Sequence, residues 1–230
     1  MNKIIIMPTY NEAENIRKII PEIFNLIDIS ILIVDDNSPD GTANIVEELQ
    51  NEYKNLYLLK REKKEGLAKA YIAGFEYALD KGFDIFIQMD ADFQHPFDVL
   101  PEMIKKMEEH NADVIVGSRY IQNGNWKNPN KNKEIISRLG NKYAQIVLRT
   151  KIKDITGGYN IWTKNALNKI NLSSIISQGY MFQIEMKYKA EKNELKILEY
   201  PIIFNQRKEG NSKMSFKICL EALINIWKIK

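Results

Sequence analysis

The chain has 230 residues, of which 44% are hydrophobic and 27% are charged, and its formal net charge is +3. This length and apolar content suffice for one well-buried core, and the small, evenly spread charge argues against nucleic acid as a partner. The single cysteine, Cys219, excludes an internal disulfide. The sequence opens with no secretory leader and contains no apolar run of the roughly 18 residues that a membrane span needs, so we expect a cytoplasmic protein that does not cross a bilayer.

The first 117 residues alternate short apolar runs with helical periodicity, which predicts an α/β domain with a mostly parallel mixed sheet. Strands are predicted at residues 4–7, 31–35, 56–59, 85–89 and 114–117, and helices at about 41–52, 66–81 and 97–110. An earlier helix is indicated by Asn11 and Glu14, which have the spacing of a capping box. Its buried stripe is predicted to consist of Ile16, Ile19, Ile20, Ile23 and Ile27.

The sequence changes character after Arg119. Residues 122–134 are rich in Asn and Lys and have no apolar period, so we expect a mobile loop there and a helix at about 135–149. The paired Gly157 and Gly158 indicate either a tight turn or a close approach of the backbone. A helix at about 178–192 and a strand at 195–200 follow, and we find no internal repeat.

The segment 216–230 is predicted to form a helix with apolar side chains around most of its circumference. A helix that rests on one side of a domain needs an apolar face of only about 100°. The excess indicates either burial on two sides or contact with a membrane or a partner, and both interpretations stay open.

The most informative segment follows the predicted strand at 85–89. Side chains two residues apart on a strand point the same way, so Asp90 and Asp92 are expected to enter one cleft. Two carboxylates held that close repel each other unless a cation lies between them. With the amide oxygen of Gln94 they suit Mg²⁺ or Mn²⁺ carrying phosphate oxygens. The alternative is a solvated acidic loop.

Other polar residues also follow predicted strands. Ligands of such sheets bind beyond the carboxyl ends of the strands, so segments 8–12, 35–38 and 90–92 are expected to face one crevice. Asp36 is predicted to contact a base or ribose, whereas residues 37–42 are equally well explained by turn and helix-cap chemistry. Neither the P-loop pattern nor the dinucleotide-binding glycine pattern occurs in the sequence.

Five motifs occur in order along the chain: Pro-Thr-Tyr-Asn-Glu at 8–12, Asp-Asp-Asn-Ser-Pro-Asp-Gly-Thr at 35–42, Asp-Ala-Asp-Phe-Gln-His-Pro at 90–96, Gly-Ser-Arg at 117–119 and Arg-Lys-Glu-Gly-Asn-Ser-Lys at 207–213. Together they resemble family 2 glycosyltransferases of the GT-A fold, and within them the dolichol-phosphate (polyprenol-phosphate) mannose synthases. The resemblance implies an inverting, metal-dependent transfer of mannose from GDP-mannose to a polyprenyl (dolichyl) phosphate.

The same resemblance implies roles for individual residues. The nucleotide-sugar pocket would be lined by Pro8, Tyr10, Glu12, Val34, Asp36, Asp90, Ala91, Asp92, Arg119, Arg207 and Lys213. The metal, Mg²⁺ or Mn²⁺, would be held by Asp90, Asp92 and Gln94, with Asp92 and Gln94 as its direct ligands. The catalytic residues would be Asp90, Asp92, Arg119, Arg207 and Lys213. The arginines and the lysine would hold phosphates. The alternative is that these three residues are ordinary solvated charges on the surface.

The expected acceptor is anionic. The sequence shows no convincing general base, and a phosphate monoester with a second pKa of about 6 is already an anionic nucleophile at pH 7. Such an acceptor needs cations, and Lys133, Ser137 and Arg138 are its predicted contacts. Lys133 stands where the synthases usually carry an arginine. Lysine still pairs with phosphate but lacks the two-pronged guanidinium.

Three further features have both a functional and a structural interpretation. His95 is expected to orient its loop in preference to acting as a ligand or base. Gln183 or Glu185 could reach the sugar, or belong to the packing of a helix. Trp126 could contact lipid or form part of a lid, or have no function, because single exposed aromatic residues are common.

We therefore expect a single GT-A domain at residues 1–214, followed by an amphipathic helix at 215–230, acting peripherally on the cytoplasmic face of a membrane. Alternatives within this class are transfer of glucose or another hexose to polyprenyl phosphate, and polysaccharide synthesis. Rivals from other classes are a non-catalytic subunit that binds nucleotide sugars and a nucleotidyltransferase. A membrane-subunit partner is left open.

Overall fold

The computed structural model describes residues 1–127, 131–179, 181–206 and 225–230. The strands are β1 (Lys3–Thr9), β2 (Ser30–Asp35), β3 (Leu56–Lys60), β4 (Ile85–Gln88), β5 (Val114–Ser118), β6 (Asn125–Trp126), β7 (Asn160–Thr163), β8 (Ile197–Pro201) and β9 (Ile203–Phe204). The helices are α1 (Ala13–Leu26), α2 (Thr42–Leu49), α3 (Leu67–Asp80), α4 (Leu100–Glu109), α5 (Lys131–Leu148), α6 (Lys164–Ile170) and α7 (Met181–Lys192). Short 3₁₀ turns occupy Phe97–Val99, Leu172–Ser174 and Ile226–Lys228.

Within the described residues, seven strands form one sheet in the order β3-β2-β1-β4-β7-β5-β8, and β6 pairs with β9. Strand β7 is antiparallel to β4 and β5, whereas the other neighbouring strands of the large sheet are parallel. The predicted α/β class and the mostly parallel mixed sheet are confirmed. Because β1 lies between β2 and β4, the carboxyl ends of these three strands adjoin at one edge of the sheet.

Helices cover both faces of the sheet. Ile5 and Ile33 belong to a core formed with α1, α2 and α4, while Ile6 and Val34 belong to a core formed with α3, α6 and α7. Burial on both faces explains why the central strands appear in the sequence as continuous apolar runs. A Cβ at Gly74 of α3 would lie 2.5 Å from Ile6 Cγ2, so this helix packs directly onto β1.

Helix α1 has the predicted buried stripe, except that Ile27 is its partly buried C-cap. The predicted capping box is wrong. Asn11 has a left-handed backbone with φ of 59°, and the next residue, Glu12, takes the N-cap position. A donor at this helix end is satisfied by a neighbouring loop, since Ala13 N–H donates to Asp40 Oδ2 at 3.1 Å.

The second half of the chain departs further from the prediction. Helix α5 begins at Lys131, and β6 occupies part of the segment 122–134 that was expected to be a loop, because it pairs with β9. Strand β7 and helix α6 were not predicted. Strand β7 has only four residues, which is too short for an alternating pattern to be recognised. It runs directly into α6. Helix α7 and strand β8 confirm the elements expected at 178–192 and 195–200.

The predicted C-terminal helix lies largely outside the described residues. Of the segment 216–230 the structure describes 225–230, where Ile226 is buried in a cluster with Ala144 and Val147 of α5 and Trp227 is 58% exposed. Among the described residues, no helix combines the length and apolar character that crossing a bilayer requires. The domain boundary expected after residue 214 stays a prediction.

Candidate functional site

The carboxyl ends of β1 and β2 are joined by hydrogen bonds. Thr9 Oγ1 donates to Asp35 Oδ1 at 2.8 Å, and Asp36 N–H donates to the Thr9 carbonyl at 3.1 Å. Beyond the strands, Asn11 N–H donates to Ser38 Oγ at 3.0 Å. The segments that follow β1 and β2 therefore form one continuous wall of the expected crevice.

The turn after Asp36 has mainly a structural role. Asp40 Oδ1 accepts hydrogen bonds from Thr42 N–H at 3.0 Å and from Thr42 Oγ1 at 2.6 Å. The same hydroxyl accepts Glu12 N–H at 3.1 Å. Ser38 N–H donates to Asp35 Oδ2 at 2.9 Å. These contacts favour turn chemistry for Ser38, Asp40 and Thr42.

Asp36, the predicted nucleoside contact, is 5% exposed and pairs with Arg61, whose Nη1 donates to Asp36 Oδ1 at 2.7 Å. Burial raises the pKa of Asp36, although the charge of Arg61 opposes the shift. Arg61 Nη2 also donates to Glu65 Oε2 at 3.0 Å, and Lys64 Nζ lies 3.7 Å from the centre of the Tyr10 ring. The loop after β3 is therefore fixed beside the two predicted nucleotide contacts, Tyr10 and Asp36.

The other predicted pocket residues lie at the same strand ends. Pro8 and Val34 are register partners on β1 and β2, and Val34 is fully buried. Glu12 is partly buried and accepts a hydrogen bond from Asn15 Nδ2 at 2.7 Å. Ala91 is 3% exposed and lies between the two carboxylates in the sequence. The side chain of Val34 packs in the core beneath α3, so its predicted contact with the nucleotide stays a prediction.

The two predicted metal-binding carboxylates lie just after β4, beyond Met89, in a turn and not on the strand itself. The hydroxyl of Tyr71, on α3, donates to Asp90 Oδ1 at 2.8 Å. Asp92 is 3% exposed, and its Oδ1 accepts Gln94 N–H at 3.0 Å. Phe93 has a left-handed backbone with φ of 63°, an outlier for a bulky residue. Backbone strain of this kind clusters at ligand sites, which supports a functional interpretation of this acidic turn, residues 90–94.

Gln94 is held by the chain that follows β9. Its Nε2 donates to the Asn205 carbonyl at 3.2 Å, and Asn205 N–H donates to the Gln94 carbonyl at 2.9 Å. The described chain therefore runs beside the acidic turn just before Arg207. Arg207 and Lys213, predicted to hold phosphates, lie outside the described residues. Their roles stay predictions.

His95 has the geometry of the loop-orienting residue that the sequence suggests. Its Nδ1 accepts Asp90 N–H at 3.0 Å, and its ring stacks on Tyr159 with the centroids 5.0 Å apart. Burial lowers the pKa of His95 to about 4, with the charge of Asp92 opposing the shift. The imidazole is therefore neutral at pH 7 and fixes the backbone of Asp90 as a hydrogen-bond acceptor.

The acidic turn has the chemistry of a metal site that a substrate completes. No group of three or more His, Cys, Asp or Glu side chains in the described part of the chain could hold a metal ion. Mg²⁺ bound together with phosphates commonly uses only one or two carboxylates, because the phosphates supply further oxygen ligands. Asp90 and Asp92, with the amide of Gln94, fit that requirement.

Arg119, which was predicted to bind phosphate, forms hydrogen bonds with Asp154 and Thr156. Its Nε donates to Asp154 Oδ2 at 2.8 Å, and its Nη2 donates to Asp154 Oδ1 at 2.9 Å and to Thr156 Oγ1 at 3.0 Å. Burial opposes ionisation of Asp154, but the charge and hydrogen bonds of Arg119, together with the charge of Lys187, outweigh it and lower the pKa of Asp154 to about 2. Arg119 is thus fixed in a buried ion pair, and a contact with phosphate stays a prediction.

Asp154 orders the chain around it through both its carboxylate and its backbone. Gly157 N–H donates to Asp154 Oδ1 at 2.9 Å, and a Cβ at Gly157 would lie 3.2 Å from that oxygen. The buried Lys187, on α7, donates to the carbonyls of Asp154 and Gly157 at 3.1 and 2.5 Å. Glu199, on β8, accepts Asp154 N–H at 3.0 Å. At Gly157, the first of the paired glycines, the backbone therefore approaches the Asp154 carboxylate closely. No sequence pattern pointed to Lys187, and the only signal near Asp154 was the Asp-x-Thr-Gly-Gly turn.

The predicted acceptor contacts lie along the first half of α5. Ser137 Oγ is 2.9 Å from the Tyr120 hydroxyl, and the Arg138 guanidinium is 5.1 Å from the centre of the Tyr120 ring. Arg138 also pairs with Glu134, Nη2 to Oε1, at 2.9 Å. Lys133 is exposed. Because Tyr120 directly follows Arg119, this part of α5 adjoins the Arg119–Asp154 pair, and its role towards an acceptor stays a prediction.

The remaining candidates have structural partners. Trp126 is partly buried and packs edge-on against Phe204, with the ring centroids 5.9 Å apart. Gln183 Oε1 accepts Asn160 Nδ2 at 3.2 Å. Glu185 is 1% exposed and accepts Ser177 N–H at 2.8 Å, so it fixes the loop before α7. These contacts favour packing over sugar contact for Glu185.

Comparisons with known proteins agree with this geometry. Residues 4–170 match the model of Glycosyl transferase family 2. Polyprenol monophosphomannose synthase of Mycolicibacterium smegmatis is 36% identical to this chain, over 99% of the chain and 87% of its own length. Undecaprenyl-phosphate mannosyltransferase of Micrococcus luteus is 37% identical, over 98% of the chain and 93% of its own length.

The fold also matches a solved structure, that of glucosyl-3-phosphoglycerate synthase from Mycobacterium tuberculosis in complex with Mn²⁺, uridine diphosphate and glucosyl-3-phosphoglycerate. The TM-score is 0.69 at 14% identity, and the match covers 99% of this chain and 78% of that one. Identity this low shows the fold alone, which is the GT-A-like α/β fold. With the sequence match over residues 4–170, the chain belongs to glycosyl transferase family 2.

Proposed function

We propose that this glycosyltransferase moves mannose from GDP-mannose to a polyprenyl phosphate. The observation that carries the proposal is the 36% and 37% identity, over nearly the whole chain, to two proteins named for mannosyl transfer with polyprenol and undecaprenyl phosphate. The acidic turn beside the ends of β1 and β2 supports it, because a nucleoside diphosphate sugar needs a nucleoside pocket next to a diphosphate site.

The donor would lie along the carboxyl ends of the strands. Asp36, whose orientation is fixed by Arg61, would accept a hydrogen bond from the base or ribose. The diphosphate would then extend past the end of β1 to Asp90 and Asp92 after β4. The choice of guanosine over uridine rests on the sequence resemblance.

The transfer itself needs little proton chemistry. An oxygen of the acceptor phosphate attacks the anomeric carbon from the face opposite GDP, and the bond to GDP breaks with its electron pair leaving on the diphosphate. Since the acceptor is already anionic at pH 7, no side chain has to remove a proton. Bound Mg²⁺ or Mn²⁺, held by Asp90, Asp92 and Gln94, would neutralise charge on the leaving diphosphate. Tyr71 and His95 keep Asp90 in place.

A panel assay tests the donor and the acceptor together. The purified chain with Mn²⁺ is incubated with labelled GDP-mannose, GDP-glucose, UDP-glucose or UDP-galactose and a short polyprenyl phosphate, and organic-extractable label is counted. Label is expected from GDP-mannose, with a rate that falls below pH 6 as the acceptor becomes protonated. Transfer from a UDP sugar would overturn the proposal that GDP-mannose is the donor. Transfer only to neutral sugar alcohols would overturn the proposal that a polyprenyl phosphate is the acceptor.

Removing one hydroxyl tests how Asp90 is positioned. Tyr71→Phe keeps the ring that stacks on Phe182, with the centroids 6.0 Å apart, but loses the hydrogen bond to Asp90. Loss of a residue that orients a metal ligand lowers metal affinity or activity by about 10- to 100-fold. We expect a decrease of that size in Mn²⁺ affinity, measured by calorimetry of the complex with GDP. Tyr77→Phe on the same helix is the control, and unchanged Mn²⁺ affinity in Tyr71→Phe would contradict the assignment.

We also propose that the enzyme works peripherally at the cytoplasmic face of a membrane, because the hydrocarbon chain of a polyprenyl phosphate is held in a bilayer. A membrane-subunit partner is compatible with this location. Fractionation of cells that express the chain, with and without a high-salt wash, tests the proposal. Recovery of the protein away from membranes at low salt would contradict it.

A further inference from the structure

Helix α5 presents an apolar row to solvent. Ile135, Leu139 and Ile146 are 53%, 64% and 65% exposed. Their spacing of four and seven residues places them on one face of the helix. The other face of α5 packs inward through Ala144 and Val147. The exposed row therefore lies on the side of the helix that the domain core does not cover.

Exposed apolar surface is concentrated on this helix. Of the nine large hydrophobic side chains that are exposed in the described residues, four belong to α5. A fifth, Trp227, is attached to α5, since its Nε1 donates to the Tyr143 hydroxyl at 3.1 Å. Single exposed hydrophobic residues are ordinary, but a contiguous group marks a surface that meets an apolar partner.

Cationic residues accompany the apolar row. Lys131, Arg138 and Lys142 are exposed and recur at spacings of seven and four residues, which keeps them on the same side of the helix. Residues 131–149 contain five Lys or Arg and one carboxylate, Glu134. A second copy of this chain would bring like charge to the same face. An anionic lipid surface is complementary in both charge and apolarity.

We propose that this face of α5 lies on an anionic phospholipid bilayer, with Ile135, Leu139 and Ile146 at the boundary between headgroups and acyl chains and the cations at lipid phosphates. The 18 residues of α5 give a helix of about 27 Å, long enough to lie flat along the surface. The indole of Trp227, at the edge of the same face, suits the headgroup depth that tryptophan favours.

The position of this face connects the lipid surface with the candidate site. Ser137 of α5 touches Tyr120, which directly follows Arg119 of the buried ion pair. A bilayer against α5 would thus lie next to the predicted acceptor contacts. The inference nevertheless stands on the exposed face itself, and lipid without any polyprenyl phosphate tests it independently of the proposed reaction.

Flotation of the full chain with vesicles tests the inference. Vesicles of phosphatidylcholine with phosphatidylglycerol are compared with vesicles of phosphatidylcholine alone. Ile135→Ser/Leu139→Ser/Ile146→Ser is expected to lower partitioning onto the anionic vesicles at least tenfold, with unchanged GDP affinity. Each cation near an anionic surface contributes about fivefold to binding at low salt. Lys131→Gln/Lys142→Gln is therefore expected to lower it by about tenfold or more.

Matched controls separate this face from general surface effects. Leu26→Ser/Ile176→Ser removes exposed apolar side chains elsewhere, at 43% and 65% exposure, and is expected to leave partitioning unchanged. Equal partitioning of the α5 triple variant and the unmodified chain would overturn the proposal. Equal binding to anionic and to neutral vesicles would overturn the proposed preference for anionic lipid. A dimer in ultracentrifugation that the triple variant dissociates, without vesicle binding, would assign the face to self-association instead.

Discussion

Asp92→Asn is expected to reduce kcat/KM for transfer from GDP-mannose to a polyprenyl phosphate by about 10²- to 10³-fold, because removing one electrostatic group at a reaction centre costs on the order of 10² to 10³ in rate. The substitution keeps the size of the side chain and an oxygen that can accept Gln94 N–H. It removes one negative charge from the acidic turn. Steady-state rates with labelled donor measure the loss.

Binding measurements show whether the lost charge acts through the metal. In the unmodified chain, chelating Mn²⁺ is expected to weaken GDP binding at least tenfold in calorimetry, whereas GDP binding to Asp92→Asn should hardly depend on Mn²⁺. Asp98→Asn makes the same chemical change at an exposed position close by and should preserve activity. Full activity of Asp92→Asn, or metal-independent GDP binding by the unmodified chain, would show that the metal role is wrong.

The parts of the fold that could be predicted from sequence are those with local patterns. Strands buried on both faces give continuous apolar runs, and α1 shows its stripe at helical spacing. The clustering of polar residues after β1, β2 and β4 followed from the rule that parallel strands end at one edge. Asp90 and Asp92 stood out because two carboxylates directly follow an apolar strand.

The parts that escaped prediction depend on partners far apart in the sequence. The start of α1 is satisfied by Asp40, 27 residues beyond Ala13, so no local capping pattern reveals it. Tyr71 lies in a helical apolar run and has the pattern of a core residue, although its hydroxyl holds Asp90, 19 residues away. Pairing of that kind is set by how α3 packs on the sheet, which the local sequence does not specify.

Asp154 is the clearest such case. In the sequence it is one more polar residue before a glycine pair, and Arg119, its partner, is 35 residues earlier. In the structure Asp154 is fully buried, and its carboxylate accepts hydrogen bonds from Arg119 and from Gly157 N–H. The Lys187 ammonium donates to the backbone carbonyl of Asp154. Burial lowers the pKa of Lys187, although the charge of Asp154 opposes the shift. One carboxylate thus balances buried positive charge beside the site.

Asp154→Asn is therefore expected to lower the free energy of unfolding at pH 7 by about 3 to 5 kcal/mol, the usual cost of leaving a buried charge without its partner. The amide would also turn an N–H₂ group towards donors of Arg119 or Gly157. Urea unfolding measures the change. Asp28→Asn, at an exposed loop position, is the control and should stay within about 0.5 kcal/mol of the unmodified chain.

The double variant Arg119→Met/Asp154→Asn tests whether the loss comes from this pair. If the arginine left without its partner is the source of the cost, the double variant should be less destabilised than the sum of the two single variants, by about 2 kcal/mol or more. Additive single effects would mean that the two side chains do not act as a pair. That outcome would place the role of Asp154 in its backbone contacts instead.

Acid sensitivity gives an independent readout of the same carboxylate. The pKa of Asp154 is lowered from 3.8 to about 2 in the folded chain, so below about pH 4 the unfolded chain takes up a proton that the folded chain does not. The stability that this carboxylate contributes, about 2 kcal/mol, is present above pH 4 and is lost as the pH falls through about 2. Asp154→Asn should lack this component, so its free energy of unfolding should fall less steeply between pH 4 and pH 2.5. Parallel pH profiles for the two proteins would contradict a depressed pKa at Asp154.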